Sequence, residues 1–151
     1  MKKLILIFVL CIGFQSIGQD LKWETDFEQA KKISTKQNKP ILVYFNGSDW
    51  CSPCKMLKKD FFETPKFKEK SKSMVLLMVD VPRRVDIISE EQKKKNREMV
   101  RIYNTQGSYP TLVALNGKGH ILGELSGYSF LRETERHFNF VDSILQGYSG
   151  K

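Results

Sequence analysis

The chain is poor in the residues from which most cofactor and metal sites are built. Only two histidines and three cysteines occur in its 151 residues. A structural zinc site takes about four ligands at set spacing, and neither His120 nor His137 stands at ligand spacing from a cysteine or a carboxylate. No glycine-rich phosphate loop and no nucleotide, flavin or haem motif is present, so no bound organic cofactor is expected. Apolar runs are short as well. The longest, Leu4 to Phe14, falls well below the roughly 20 residues that span a bilayer. Acidic residues number 17 against 25 basic ones, giving a formal charge of +8. There are no internal repeats and no low-complexity tracts, and the length suits one domain around one core.

What is present begins with a leader. Met1-Lys2-Lys3 is a short basic start, the apolar run follows, and Ser16-Ile17-Gly18 offers small residues where a signal peptidase reads. Residues 1–18 are therefore expected to be a cleaved secretory signal, with 19–151 as the single mature domain. An uncleaved anchor is the other reading. Cys11 raises lipid attachment, but Leu10 before it is too large for an ordinary lipidation site. Cleavage takes Cys11 away and leaves Cys51 and Cys54 as an isolated dithiol. Small exported domains that use disulfides for stability carry several, so this pair is expected to be kept for chemistry.

Its setting supports that. Pro40-Ile41-Leu42-Val43-Tyr44-Phe45 is an apolar strand, Asn46-Gly47-Ser48 a turn, and Cys51-Ser52-Pro53-Cys54 the opening of a helix whose apolar face is Met56, Leu57 and Phe61. Cys51 would lie at the helix N-terminus, where free N–H groups and the helix dipole favour a thiolate. That placement lowers a thiol from roughly 8.5 by one or more units. Cys54 falls on the same helical face, in reach of a mixed disulfide at Cys51. Pro53 suits a first turn, where a missing N–H costs nothing. Half of a zinc site and an inert buried pair are the alternatives to redox chemistry. Met56, Met74, Met78 and Met99 raise copper, but they fall at core positions.

Along the rest of the chain, Leu21-Lys22-Trp23 reads as a short edge strand and Thr25-Asp26-Phe27-Glu28 as a capping box, opening a helix to about Gln37. The Cys54 helix should run to about Phe62, and Thr64-Pro65 should cap a short helix through Lys70. Met74–Val81 is a second apolar strand, and Ser89-Glu90-Glu91-Gln92 opens a helix to about Asn104. The basic stretch from Arg83 to Arg101 is interspersed with Asp86, Glu90, Glu91 and Glu98. It reads as a solvated face, with no nucleic-acid partner expected. Leu112–Leu115 and Ile121–Leu125 form a hairpin about Asn116-Gly117-Lys118-Gly119. A last helix spans Phe130 to Leu145, with Leu131, Thr134, Phe138, Val141 and Leu145 inward and Gly147 as its stop. This order makes an α/β fold, a central mixed sheet flanked by helices on both faces, with a C-terminal β-hairpin and helix.

Trp50-Cys51-Ser52-Pro53-Cys54-Lys55, followed by Tyr109-Pro110-Thr111, resembles the thioredoxin-fold family. Lys39-Pro40-Ile41-Leu42-Val43, Asp49-Trp50-Cys51, Phe62-Glu63-Thr64-Pro65-Lys66-Phe67 and Met74–Asp80 are similar to small exported thioredoxin-like proteins. They are similar also to the periplasmic C-terminal domain of the transmembrane thiol:disulfide interchange reductase. The resemblance implies an exported, periplasmic thiol–disulfide oxidoreductase whose redox group is the Cys51–Cys54 disulfide itself. Cys51 would attack and Cys54 resolve, with Pro53 and Lys55 as structural support. Pro110 would be a cis-proline against the disulfide, and Trp50, Tyr109 and Gly127 the rim on which an extended substrate docks. The implied partners are protein thiols and disulfides and a membrane-embedded electron donor, the protein itself a monomer. Pro53 and the family branch favour reduction; an oxidase or isomerase, or a non-catalytic binding or metal-carrier module, is the alternative. Two features depart from thioredoxin. Its buried aspartate falls here on Tyr44 or its neighbour, and the lysine paired with that aspartate falls near Leu76. Asp80 lies too far along its strand to be read as a substitute acid. The linker after Asp80 is also longer, which implies an altered rim.

Overall fold

A computed structural model describes residues 20–149. The leader read at residues 1–18, with Cys11, lies outside the described residues, as does Gln19.

Five strands form one mixed sheet in the order β1-β3-β2-β4-β5. These are β1 (Trp23–Glu24), β2 (Ile41–Asn46), β3 (Val75–Asp80), β4 (Thr111–Leu115) and β5 (Ile121–Ser126). The β1/β3 and β3/β2 pairs are parallel, β2/β4 and β4/β5 antiparallel. Around them lie α1 (Phe27–Gln37), α2 (Ser52–Leu57), α3 (Pro65–Ser71), α4 (Glu90–Tyr103) and α5 (Glu135–Ser149). The central strands are buried on both faces, which is why their sequences are continuous apolar runs rather than alternating ones. Alternation instead sorts residues between two cores. Leu42, Tyr44, Leu76 and Leu112 face Leu57, Phe61, Phe67, Phe138 and Val141 on one side. Ile41, Val43, Phe45, Leu77, Val79 and Val113 face Ala30 and Met99 on the other.

Below the dithiol the helix does not end at Leu57. It continues over Lys58–Phe62 with π-helical hydrogen bonding, so the helical run reaches Phe62 as expected. The wider turn places Phe61 and Phe62 side by side in the core, both at most 1% exposed. Phe61 alone meets the rings of Phe62, Phe67, Phe138 and His137. Full burial of a side chain of this size contributes about 1.5–3 kcal/mol. Thr64 caps α3 with Pro65 in its first turn, and Ser89 caps α4. On the surface of α4 three of the cations meet acids: Lys93 pairs with Glu90, Lys95 with Glu91 and Asp26, and Arg101 with Glu98.

Three expectations are corrected. The N-cap of α1 is Asp26, whose carboxylate accepts from the Gln29 N–H at 2.9 Å, not Thr25. Both residues suit a cap; the Thr25 carbonyl instead accepts from the side chain of Gln92 on α4. The last helix begins at Glu135, five residues after Phe130. Phe130 and Leu131 are 78% exposed and belong to a loop. Arg132 there takes φ +59° and its guanidinium pairs with Asp60, which pulls the chain out of helical geometry. At the other end α5 continues through Gly147 to Ser149. A glycine ends a helix by turning left-handed, and Gly147 does not: the positive-φ glycines are Gly107, Gly119 and Gly127.

Candidate active site

The strand β2 delivers the chain through Gly47 and Ser48 to the mouth of α2. Cys51 is the N-cap of that helix, with Pro53 in the first turn. Cys51 and Cys54 are joined in a disulfide, their Cα atoms 5.2 Å apart. The Cys54 backbone N–H donates to Cys51 Sγ at 3.2 Å. An N–H aimed at a sulfur favours its ionised form once the bond is opened. Both cysteines are at most 3% exposed in the closed pair.

Three sets of contacts hold this loop. Asp80, at the end of β3, accepts from the Ser48 N–H at 2.8 Å and the Ser48 hydroxyl at 2.6 Å. Asp49 accepts from the backbone N–H groups of Arg83 and Arg84 at 2.9–3.1 Å. Partial desolvation works to raise the Asp49 carboxyl, and these N–H donors outweigh it and hold it below its usual range. Lys55 Nζ donates to the Asp49 carbonyl at 3.2 Å, closing the loop over the first turn of the helix.

Trp50 is half-buried and held by several neighbours. Its indole N–H donates to the Val81 carbonyl at 2.7 Å. Tyr109 meets its ring edge-on at 5.3 Å, and the Arg83 guanidinium lies 4.8 Å from the ring centre. Beneath it, a Cβ on Gly47 would come within 2.2 Å of the indole, so only glycine fits.

The Tyr109–Pro110 peptide is cis. Pairing of Phe45 with Thr111 sets this bond beside the strand that leads into the dithiol loop. Gly127, with φ +82°, donates its N–H to the Pro110 carbonyl at 2.8 Å, and the space where a Cβ would point is open. Trp50, Tyr109, Pro110 and Gly127 are thus linked in one rim.

Under the disulfide stands Tyr44. Its hydroxyl donates to the Cys54 carbonyl at 3.0 Å. Burial, then the Asp80 charge, raises it well above the ordinary phenol range, so it is a neutral donor. The strand position read as the missing aspartate therefore carries a group that holds the backbone of Cys54. Asp80, read as too far along its strand to substitute for that aspartate, clamps the loop through Ser48. Pairing across 32 residues carries no local signal in the sequence.

His137, read as a helix residue without a partner, is 1% exposed and wedged between Phe61 and Tyr128. Desolvation, followed by the Arg136 charge, lowers it to about 4, and its buried Nδ1 has no hydrogen-bond partner among the described residues. Tyr128, next to Gly127, donates to Asp60 at 2.8 Å and is pushed up to about 12 by burial and that carboxylate. His120 sits at the hairpin end. Among the described residues no group of three or more His, Cys, Asp or Glu is placed to hold a metal, and no helix is long and apolar enough to cross a membrane.

A mixed sheet between two helical layers, with a bonded Cys-x-x-Cys pair at a helix mouth and a cis-proline rim, is the architecture of thioredoxin-like proteins. A family model described as thioredoxin-like matches residues 22–117, and the chain belongs to that family. The family's redox group is the disulfide itself rather than an external cofactor. Among individual proteins, the chain is 31% identical over 107 residues to the disulfide bond reductase DsbH of Chlamydia pneumoniae. That match takes in 70% of this chain but spans only 63% of DsbH's own length. Thioredoxin of Pongo abelii is 30% identical over 109 residues, covering 72% of this chain and 85% of that protein. A solved structure of a DsbH oxidoreductase superposes with a TM-score of 0.72 at 28% identity, covering 85% of this chain and 87% of that one.

Proposed function

We propose that this chain is an exported thiol–disulfide oxidoreductase that works in the reducing direction on protein disulfides. The observation that carries the dithiol chemistry is the Cys54 N–H directed at Cys51 Sγ from the first turn of α2; the reducing direction rests on the likeness to DsbH. It selects Cys51 as the sulfur better able to hold negative charge. In the reduced protein the Cys51 thiolate attacks a substrate disulfide. An S–S bond forms between Cys51 and one substrate sulfur, and the other substrate sulfur leaves as a thiolate that takes up a proton. Cys54 then loses its proton to solvent and attacks Cys51 Sγ. The second substrate thiolate departs and is protonated in turn. Two electrons have passed to the substrate, and the Cys51–Cys54 disulfide must be reopened by an external dithiol donor.

Trp50, Tyr109, Pro110 and Gly127 would receive the substrate, with Pro53 and Lys55 supporting the loop. Tyr44 would keep the Cys54 backbone in place while its sulfur turns toward Cys51. Export rests on the leader read at residues 1–18, with 19–151 as the working domain, and the donor would then be a membrane-embedded dithiol protein. The name of the relative DsbH supports the reducing direction. Trapping tests the reading. A Cys54→Ser protein should accumulate mixed disulfides with substrate through Cys51, while Cys51→Ser should neither trap nor turn over. If both variants turn substrate over at the parent rate, the dithiol is not the working group.

A further inference from the structure

The loop between β3 and α4 brings to the rim of the dithiol a cation that forms no ion pair among the described residues. Two anchors tie this loop to the site: Asp49 takes the backbone N–H groups of Arg83 and Arg84, and Val81 takes the Trp50 indole. The anchoring places the Arg83 guanidinium over the Trp50 ring, one residue from Cys51 in sequence. The neighbouring charges are already engaged. Arg84 is paired with Asp86, the Asp49 carboxylate is occupied by backbone donors, and Lys55 is bonded to the Asp49 carbonyl. Arg83 is exposed and forms no ion pair among the described residues. Val85, 77% exposed, and Ile87 lie on the same loop.

A guanidinium held over an indole loses conformational freedom in advance, and its N–H edge remains free for a carboxylate. Trp50 fixes where that edge stands relative to Cys51. We propose that Arg83 is a specificity-determining residue of this site, selecting client disulfides in which an acidic residue flanks the attacked cysteine. The proposal rests on the oxidoreductase reading above and names the substrate class of the same site. An exposed charge pair contributes modestly. A preference of about fivefold is therefore expected, equivalent to about 1 kcal/mol, and it should shrink as salt screens the pair.

The test uses two synthetic peptide disulfides, identical except for glutamate or lysine beside the cysteine, reduced by the full chain. The measured quantity is the ratio of the two kcat/KM values. The parent should prefer the glutamate peptide about fivefold, R83K should keep the direction of the preference at a reduced ratio because lysine lacks the stacked planar edge, and R83E should invert it. The Cys51–Cys54 potential is measured alongside in each variant. Equal kcat/KM for the two peptides in the parent overturns the proposal while leaving the oxidoreductase reading intact. So does an R83E protein in which both peptides slow equally and the potential moves, since Arg83 would then act on the thiolate and not on the client. No reduction of either peptide by the parent overturns the oxidoreductase reading and the proposal with it.

Discussion

Removing the Asp80 carboxylate should loosen the dithiol loop without touching a cysteine, and the size of the effect follows from two bonds. Asp80 accepts from the Ser48 N–H at 2.8 Å and the Ser48 hydroxyl at 2.6 Å, and is itself 9% exposed. A hydrogen bond to a charged group contributes about 1.5–3 kcal/mol to stability. Ser48 is exposed on its outer side, so water replaces part of what is lost. Asp80→Ala should therefore cost about 2–3 kcal/mol, near the lower end for two such bonds. Asp80→Asn can keep both contacts, its amide oxygen accepting the N–H and its NH2 group donating to the hydroxyl. It forfeits only the charge and should cost roughly 1 kcal/mol or less. Urea unfolding of the oxidised protein measures this as a shift in midpoint at unchanged slope. Disulfide turnover should fall several-fold in Asp80→Ala and little in Asp80→Asn. An alanine variant as stable as the parent would falsify the clamp. An asparagine variant as damaged as the alanine one would show that charge, not the two bonds, holds the loop.

Gly47→Ala should displace the indole that it underlies, because its Cβ would meet Trp50 at 2.2 Å. The Trp50–Val81 bond is then lost, tryptophan emission shifts to the red, and turnover drops at least about tenfold, the scale on which small misplacements act in catalysis. Unaltered emission and turnover would contradict the packing described. His137 should make stability depend on acid. Its pKa is lowered on folding to about 4, so the folded state binds fewer protons than the unfolded one below the unfolded value near 6.5. The stabilisation is full above pH 6.5 and is lost as pH falls toward 4, by at most about 3 kcal/mol. His137→Gln should flatten that part of the stability–pH curve, and identical curves for parent and variant would rule the group out as its source.

Strands and helices were legible because the doubly covered sheet demands apolar runs and the caps are local. Ile41–Asn46 and Val75–Asp80 had no polar alternation to confuse them, and Thr64-Pro65 and Ser89 acted as caps where they stood. The dithiol was legible for the same reason, since strand, turn and helix mouth occupy consecutive residues. What could not be read depends on partners far away in the chain. Leu131 and Thr134 keep helical spacing with Phe138, yet Asp60, 72 residues before Arg132, captures that arginine and holds the segment as a loop. Asp80 reaches Ser48 across 32 residues, and Trp50 reaches Val81 across 31. His137 looked idle because nothing local announces that Phe61 and Tyr128 close over it. Tyr44 was recognised as a departure from thioredoxin, but its bond to the Cys54 carbonyl required the fold.

The equilibrium potential of the Cys51–Cys54 pair tests the central claim most directly. Equilibration against glutathione buffers, with the open and closed forms counted by thiol labelling, yields the value. A reductase should lie near thioredoxin's roughly −270 mV. A value near roughly −120 mV, that of a strong disulfide oxidant, would contradict the reducing direction proposed for this chain.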